Sequence, residues 1–220
     1  MILKKSVMVF TVLFILINFL PAFGETDWEW NKIGLNLCKE GRFSDALYCY
    51  NRAIRLNPAY EDAWLNKGEV LVILGVYSKA LSAYDELLKI NPLSTTALNK
   101  KGEVFIRLGK YDDAVKCYDK SLAIDYNNPA VWCDKGNLLY VLKRYKRAIE
   151  CYDKALEINP SFSKAWYNRG NAFYCLGNYE EAIRCYDSLL AIEPANTYGA
   201  YYKDSALKNL RKKSYASTEE

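Results

Sequence analysis

The stretch Tyr111–Asp125, YDDAVKCYDKSLAID, returns as YKRAIECYDKALEIN at 145–159 and as YEEAIRCYDSLLAIE at 179–193. Each copy begins 34 residues after the one before. Working outward, one register holds Gly34, Gly68, Gly102, Gly136 and Gly170. A second holds Ala46, Ala80, Ala114, Ala148 and Ala182, and a third holds Tyr50, Tyr84, Tyr118, Tyr152 and Tyr186. Ahead of the glycines stand Trp30, Trp64, Leu98, Trp132 and Trp166. Five copies fit between Asp27 and Asn196 without an insertion. A fixed period of this length is the mark of a helical array, whose units bury their apolar faces only by stacking on one another.

Each copy reads as two helices. In AWYNRGNAFYCLG (165–177), Trp166, Gly170, Phe173 and Leu176 recur at helical spacing. Gly177 then ends the helix, as Gly41, Gly75 and Gly109 do in their copies. An aromatic residue opens the second helix: Phe43, Tyr77, Tyr111, Tyr145 or Tyr179. Asp112-Asp113 and Glu180-Glu181 suit the positive end of that helix, whereas Lys146-Arg147 oppose it. The fourth copy is therefore expected to start its second helix less favourably. Pro58, Pro92, Pro160 and Pro194 close the second helices; Tyr126 stands in the third copy's proline slot, with Pro129 just beyond. The glycine and alanine columns are expected where the paired helices approach most closely, with tryptophan and tyrosine filling the wider space on either side.

These columns resemble the tetratricopeptide repeat pattern W-L-G-Y-A-F-A-P, over Asp27 to Asn196. One departure is systematic: the leucine before the glycine is Lys67, Lys101, Lys135 or Arg169, with only Ile33 apolar. The resemblance implies an all-α fold, a right-handed α-solenoid of stacked antiparallel helix pairs. Its units would be 27–60, 61–94, 95–128, 129–162 and 163–196, followed by a capping helix at 197–213 and a loose tail at 214–220. It also implies that the first helices line a concave groove where ligands bind. The residues expected to face that groove are Asn99, Glu103, Arg107, Asn137, Tyr140, Tyr167, Asn171, Tyr174 and Tyr201. Asparagine can hydrogen-bond an extended backbone, and tyrosine offers area with a polar tip. An apolar or aromatic anchor is expected near Tyr140, Tyr167 and Tyr174. Some family members clamp the acidic ends of heat-shock chaperones with paired lysine and asparagine. Here the matching first-helix pairs are Asn31/Leu35, Leu65/Glu69 and Asn99/Glu103, so Asn66, Lys164 and Asn168 are isolated fragments of such a clamp.

The N-terminus differs in kind. Lys4 and Lys5 precede the uncharged run Val7–Leu20, and Ala22 and Gly24 suit a signal-peptidase cut after Gly24. Residues 1–24 are expected to be a signal peptide or, if uncleaved, a membrane anchor, with the rest of the chain facing outward. The uncharged run is short against the roughly 20 residues of a full span. Cleavage would remove two lysines and no acids, taking the formal charge from +4 to +2. So small a charge argues against a nucleic-acid partner, and membrane contact is expected only through the N-terminal segment.

The chain has no histidine, which rules out Ser-His-Asp and Cys-His activation and every histidine-ligated metal. No catalytic, cofactor or metal site is expected. Cys49, Cys117, Cys151 and Cys185 share one column that Ala83 fills in the second copy, so the slot takes a small packing residue. The basic column is matched by Asp85, Asp119, Asp153 and Asp187, and the first copy has neither member. That joint absence points to pairing within a copy, with pairing between copies as the alternative. The expected function is a non-catalytic scaffold that binds a protein or peptide outside the cytoplasmic membrane. The alternatives are an RNA-binding helical array and an accessory subunit of an envelope enzyme or assembly complex.

Overall fold

The computed structural model describes residues 26–216. The leader read at 1–24 lies outside them, as do the last four residues of the tail. Among the described residues there are eleven helices and no strands. None of these helices is long and apolar enough to cross a membrane.

The chain divides into two compact bodies, one ending at Pro92 and the other beginning at Leu93. The first holds two helix pairs: α1 (Asp27–Lys39) with α2 (Phe43–Leu56), and α3 (Glu61–Ile73) with α4 (Tyr77–Ile90). α3 stacks on α2. The second body holds α5 (Thr95–Arg107) with α6 (Tyr111–Ile124), α7 (Pro129–Val141) with α8 (Tyr145–Ile158), and α9 (Ser163–Cys175) with α10 (Tyr179–Ile192). α11 (Thr197–Ala216) packs on α10 and runs three residues past the boundary read from the sequence.

The helix ends follow local chemistry. Thr26 and Glu29 form a reciprocal capping box at α1: the Thr26 hydroxyl accepts from the Glu29 N–H at 3.3 Å and the Glu29 carboxylate from the Thr26 N–H at 3.2 Å. Gly41, Gly75, Gly109 and Gly177 leave the first helices at φ between 70° and 76°. The fourth repeat makes the same turn with Lys143, at φ 58°. The second helices stop two residues before the proline slot, and Asn57, Asp125 and Asn159 then accept backbone N–H groups two residues on.

The glycine and tyrosine columns turn out to be one device. A Cβ at Gly136 would lie 2.6 Å from the Tyr152 ring, and one at Gly170 would lie 2.7 Å from the Tyr186 ring. The tyrosine therefore does not fill wider space to the side. It occupies the notch that glycine leaves, and all five tyrosines of the column are at most 2% exposed. The alanine column is fully buried beside it. Three of the tryptophans act between repeats. The Trp64 indole donates to the Pro58 carbonyl at 2.9 Å, Trp132 to Tyr126 at 2.9 Å and Trp166 to Pro160 at 2.8 Å. Only a carbonyl is needed from that slot, which explains why tyrosine replaces proline there without loss of the bond.

Pairing of the charged columns runs between successive repeats, correcting the expectation that it runs within one. Lys135 meets Asp119 at 2.6 Å, Arg169 meets Asp153 at 2.7 Å and Lys203 meets Asp187 at 2.5 Å. α7, α9 and α11 each lie on the second helix of the preceding repeat, so the carboxylate sixteen residues back is the one within reach. The cationic groups also lie over rings: the Lys135 ammonium over Trp132 at 5.2 Å and the Arg169 guanidinium over Phe173 at 4.9 Å.

All seven cysteines are free thiols. The column of four is buried, as its alanine substitute implied, and only Cys175 is exposed.

Candidate functional site

The second body carries two adjoining hollows on its first helices. The larger, of about 420 Å³, is walled by Glu103 and Ile106 of α5, by Asp134, Asn137 and Val141 of α7, and by Lys164 of α9. The smaller, of about 330 Å³, is walled by Asn137, Tyr140 and Val141 of α7 and by Asn168 and Asn171 of α9. Asn137, Val141 and Lys164 belong to both, so the two hollows form one continuous surface across three successive first helices.

Its polar groups are held in place from below. Tyr152, buried in the notch of Gly136, donates its hydroxyl to the Asn137 carboxamide oxygen at 3.0 Å. Tyr186, in the notch of Gly170, does the same to Asn171 at 2.8 Å. Asn168 adds a second donor to the Asn137 oxygen at 2.7 Å. With the oxygens engaged, both carboxamides have N–H groups left to offer. In these two repeats the packing device thus also sets the rotamer of a groove amide.

The other end is charged. Lys164 bridges to Asp134 at 3.0 Å across neighbouring repeats. Burial pulls the Lys164 ammonium down, but the hydrogen bond and charge of Asp134 outweigh it and leave its pKa raised. Glu103 stands exposed on the same wall.

Of the nine residues expected in the groove, Glu103, Asn137, Tyr140 and Asn171 line these hollows. The Tyr140 hydroxyl lies 3.3 Å from the Cys175 thiol and its ring 5.3 Å from Tyr145. Asn99 lines neither hollow and keeps its side-chain oxygen buried without a hydrogen-bond partner. Arg107 is exposed at the end of α5. Tyr167 packs its ring on Tyr186 and Tyr202. Tyr174 accepts from Asn209 at 2.7 Å and meets the Ser205 hydroxyl at 3.0 Å, so it fastens α11 to α9. Tyr201 is 69% exposed and lies against Tyr202, away from both hollows.

Sequence reasoning passed over Asp134, Val141 and the Lys164 bridge. The signal was present: opposite charges 30 residues apart, on two first helices one repeat apart.

Comparison with known proteins agrees with this architecture. The tetratricopeptide repeat profile matches residues 61–92, 129–162 and 163–196, and the related TPR repeat profile matches 34–75 and 102–143. The chain belongs to the tetratricopeptide repeat family. As the resemblance implied, the fold is an all-α solenoid of stacked helix pairs. A tetratricopeptide repeat protein from Parabacteroides merdae superposes with a TM-score of 0.73 at 21% identity, over 89% of this chain and 77% of that one. YrrB, described as a TPR protein with an unusual peptide-binding site, superposes with a TM-score of 0.64 at 19% identity, over 80% of this chain and 91% of that one. The first TPR of Spaghetti, solved with an HSP90 peptide, superposes with a TM-score of 0.51 at 30% identity, over 53% of this chain and 93% of that one. An uncharacterized protein of Methanocaldococcus jannaschii is 48% identical over 44 residues, which is 20% of this chain and about half (51%) of that protein's length.

Proposed function

We propose that this tetratricopeptide repeat protein is a non-catalytic scaffold that binds an extended segment of another protein across α5, α7 and α9. The observation that carries the reading is the pair of pinned amides, Asn137 and Asn171. They stand one repeat apart, with their oxygens tied to core tyrosines and N–H groups left to donate. A peptide backbone presents carbonyl acceptors in repeating order, and fixed donors of this kind hold it with little loss of side-chain entropy. Tyr140 supplies the aromatic contact between them. The peptide-bound and peptide-binding relatives support a ligand of this class. An acidic chain end is a poor fit, because Glu103 and Asp134 stand on the wall and the Lys164 charge is already matched.

The same proposal places the scaffold outside the cytoplasmic membrane, on the strength of Lys4-Lys5, the apolar run and the small residues before Glu25. N-terminal sequencing of the natural protein is expected to begin at Glu25; an intact Met1 on cytosolic protein would remove the location.

The binding reading is tested by a photo-crosslinking residue in place of Val141, which is 63% exposed and borders both hollows. Irradiation in cells is expected to yield a protein adduct. The adduct should weaken when Asn137 and Asn171 are replaced by alanine. An adduct indifferent to those replacements, or no more abundant than from the exposed Lys120, would move the site elsewhere.

A further inference from the structure

The basic column has one member that its predecessor does not satisfy. Lys135, Arg169 and Lys203 each meet a carboxylate sixteen residues earlier. The residue sixteen before Lys67 is Asn51. The Lys67 ammonium lies over the Trp64 ring at 4.8 Å, as that of Lys135 lies over Trp132, so it keeps the same place in the repeat. What is missing is the acid.

The space beside it is open. A hollow of about 430 Å³ lies among α2, α3 and α4, with Asn51, Lys67, Lys79 and Ser82 as its polar walls and the Trp64 ring as an apolar one. It lies wholly within the first body and is separate from the surface described above. Two ammonium groups border it, and neither has a carboxylate partner among the described residues. Glu86 also lines it, but that carboxylate is bound to Lys89 at 2.7 Å. The Asn51 side chain makes no hydrogen bond among the described residues. Burial first, and then the charge of Lys79, hold the Lys67 ammonium below the ordinary lysine range. A half-buried cation beside a second cation, with no counter-charge, weakens the fold.

We propose that the hollow beside Lys67 receives an aspartate or glutamate side chain from a partner protein, which takes the place that Asp119 takes for Lys135. The incoming carboxylate bridges Lys67 and Lys79 and accepts from the Asn51 amide. The residue carrying it rests on the Trp64 ring. A charge-assisted bond in a half-enclosed pocket is stronger than one at an open surface. The repeat register thereby turns an internal ion pair into an external one by a single change from acid to amide.

The test uses the full chain with ε-13C-labelled lysine, the Lys67 signal being assigned by its loss in Lys67→Met. The probe is the blocked peptide acetyl-Gly-Glu-Leu-Glu-Gly-amide, with its glutamine counterpart as control. The glutamate peptide is expected to shift the Lys67 signal saturably, and the glutamine peptide is not. Asn51→Asp refills the slot from within and is expected to weaken the response at least about tenfold, the factor an internal pair of modest strength commands. It should also raise the melting temperature. Lys67→Met should leave the melting temperature unchanged or raised, whereas Lys135→Met should lower it. Equal shifts with both peptides, no shift with either, or a response undiminished in Asn51→Asp would overturn the proposal.

Discussion

The Tyr152 hydroxyl, at the end of a ring with no exposed surface, donates to the Asn137 carboxamide at the floor of the groove. Packing and the proposed binding surface therefore share one side chain. Tyr152→Phe keeps the ring in the Gly136 notch and removes only the donor. Stability is expected to fall by about 1 kcal/mol, the usual worth of a buried hydrogen bond. Crosslinking from position 141 should fall as well. Thermal melts and adduct yield read the two effects separately, and an unchanged yield would uncouple Asn137 from the ligand.

The notches differ in tightness, which orders a mutation series. A Cβ at Gly136 would meet Tyr152 at 2.6 Å, whereas one at Gly102 would meet Tyr118 at 3.0 Å. Alanine is the better helix former by up to about 1 kcal/mol, but overpacking costs roughly 1–3 kcal/mol. Gly136→Ala is expected to be clearly destabilising and Gly102→Ala close to neutral. Urea denaturation of the two variants checks the order.

Lys143 makes the left-handed turn that glycine makes in the other four repeats, at φ 58°. A side chain there costs roughly 1–2 kcal/mol, partly offset by the larger unfolded-state entropy of glycine. Lys143 is exposed, so its removal disturbs no packing. Lys143→Gly is expected to stabilise the protein by up to about 1 kcal/mol, seen as a higher urea midpoint.

Burial pushes the Cys133 and Cys151 thiols up to about 11. It also raises Tyr118, Tyr152 and Tyr186. The fold thus favours the protonated forms of these groups. The contribution of the two thiols is complete below the ordinary thiol range and is lost as pH rises through about 11. For each of the two thiols the loss is on the order of 2–3 kcal/mol. The urea midpoint should hold steady to about pH 9 and then drop, and Cys151→Ala should soften the drop, since Ala83 fills the same column. A flat profile to pH 11 would contradict the burial. At neutral pH a thiol reagent should label the exposed Cys175 first and the buried column only on unfolding.

The sequence alone was enough for the helices, their ends and their family. These are local matters: 3.6-residue periodicity, a glycine that can turn left-handed and a proline that cannot continue a helix all act within one repeat. Pairing across repeats was decided by the stacking. Lys135 has aspartates sixteen residues before it and eighteen after it, and nothing along the chain distinguishes them; the packing of α7 on α6 selects Asp119. The tyrosines divide for the same reason. Tyr140 and Tyr174 occupy one register a repeat apart, yet Tyr140 borders a hollow while Tyr174 is tied to Ser205 and Asn209. Only the presence of α11 beside α9 separates a groove residue from a fastening one, because a repeat sequence describes the unit and the stack decides what each unit leaves uncovered.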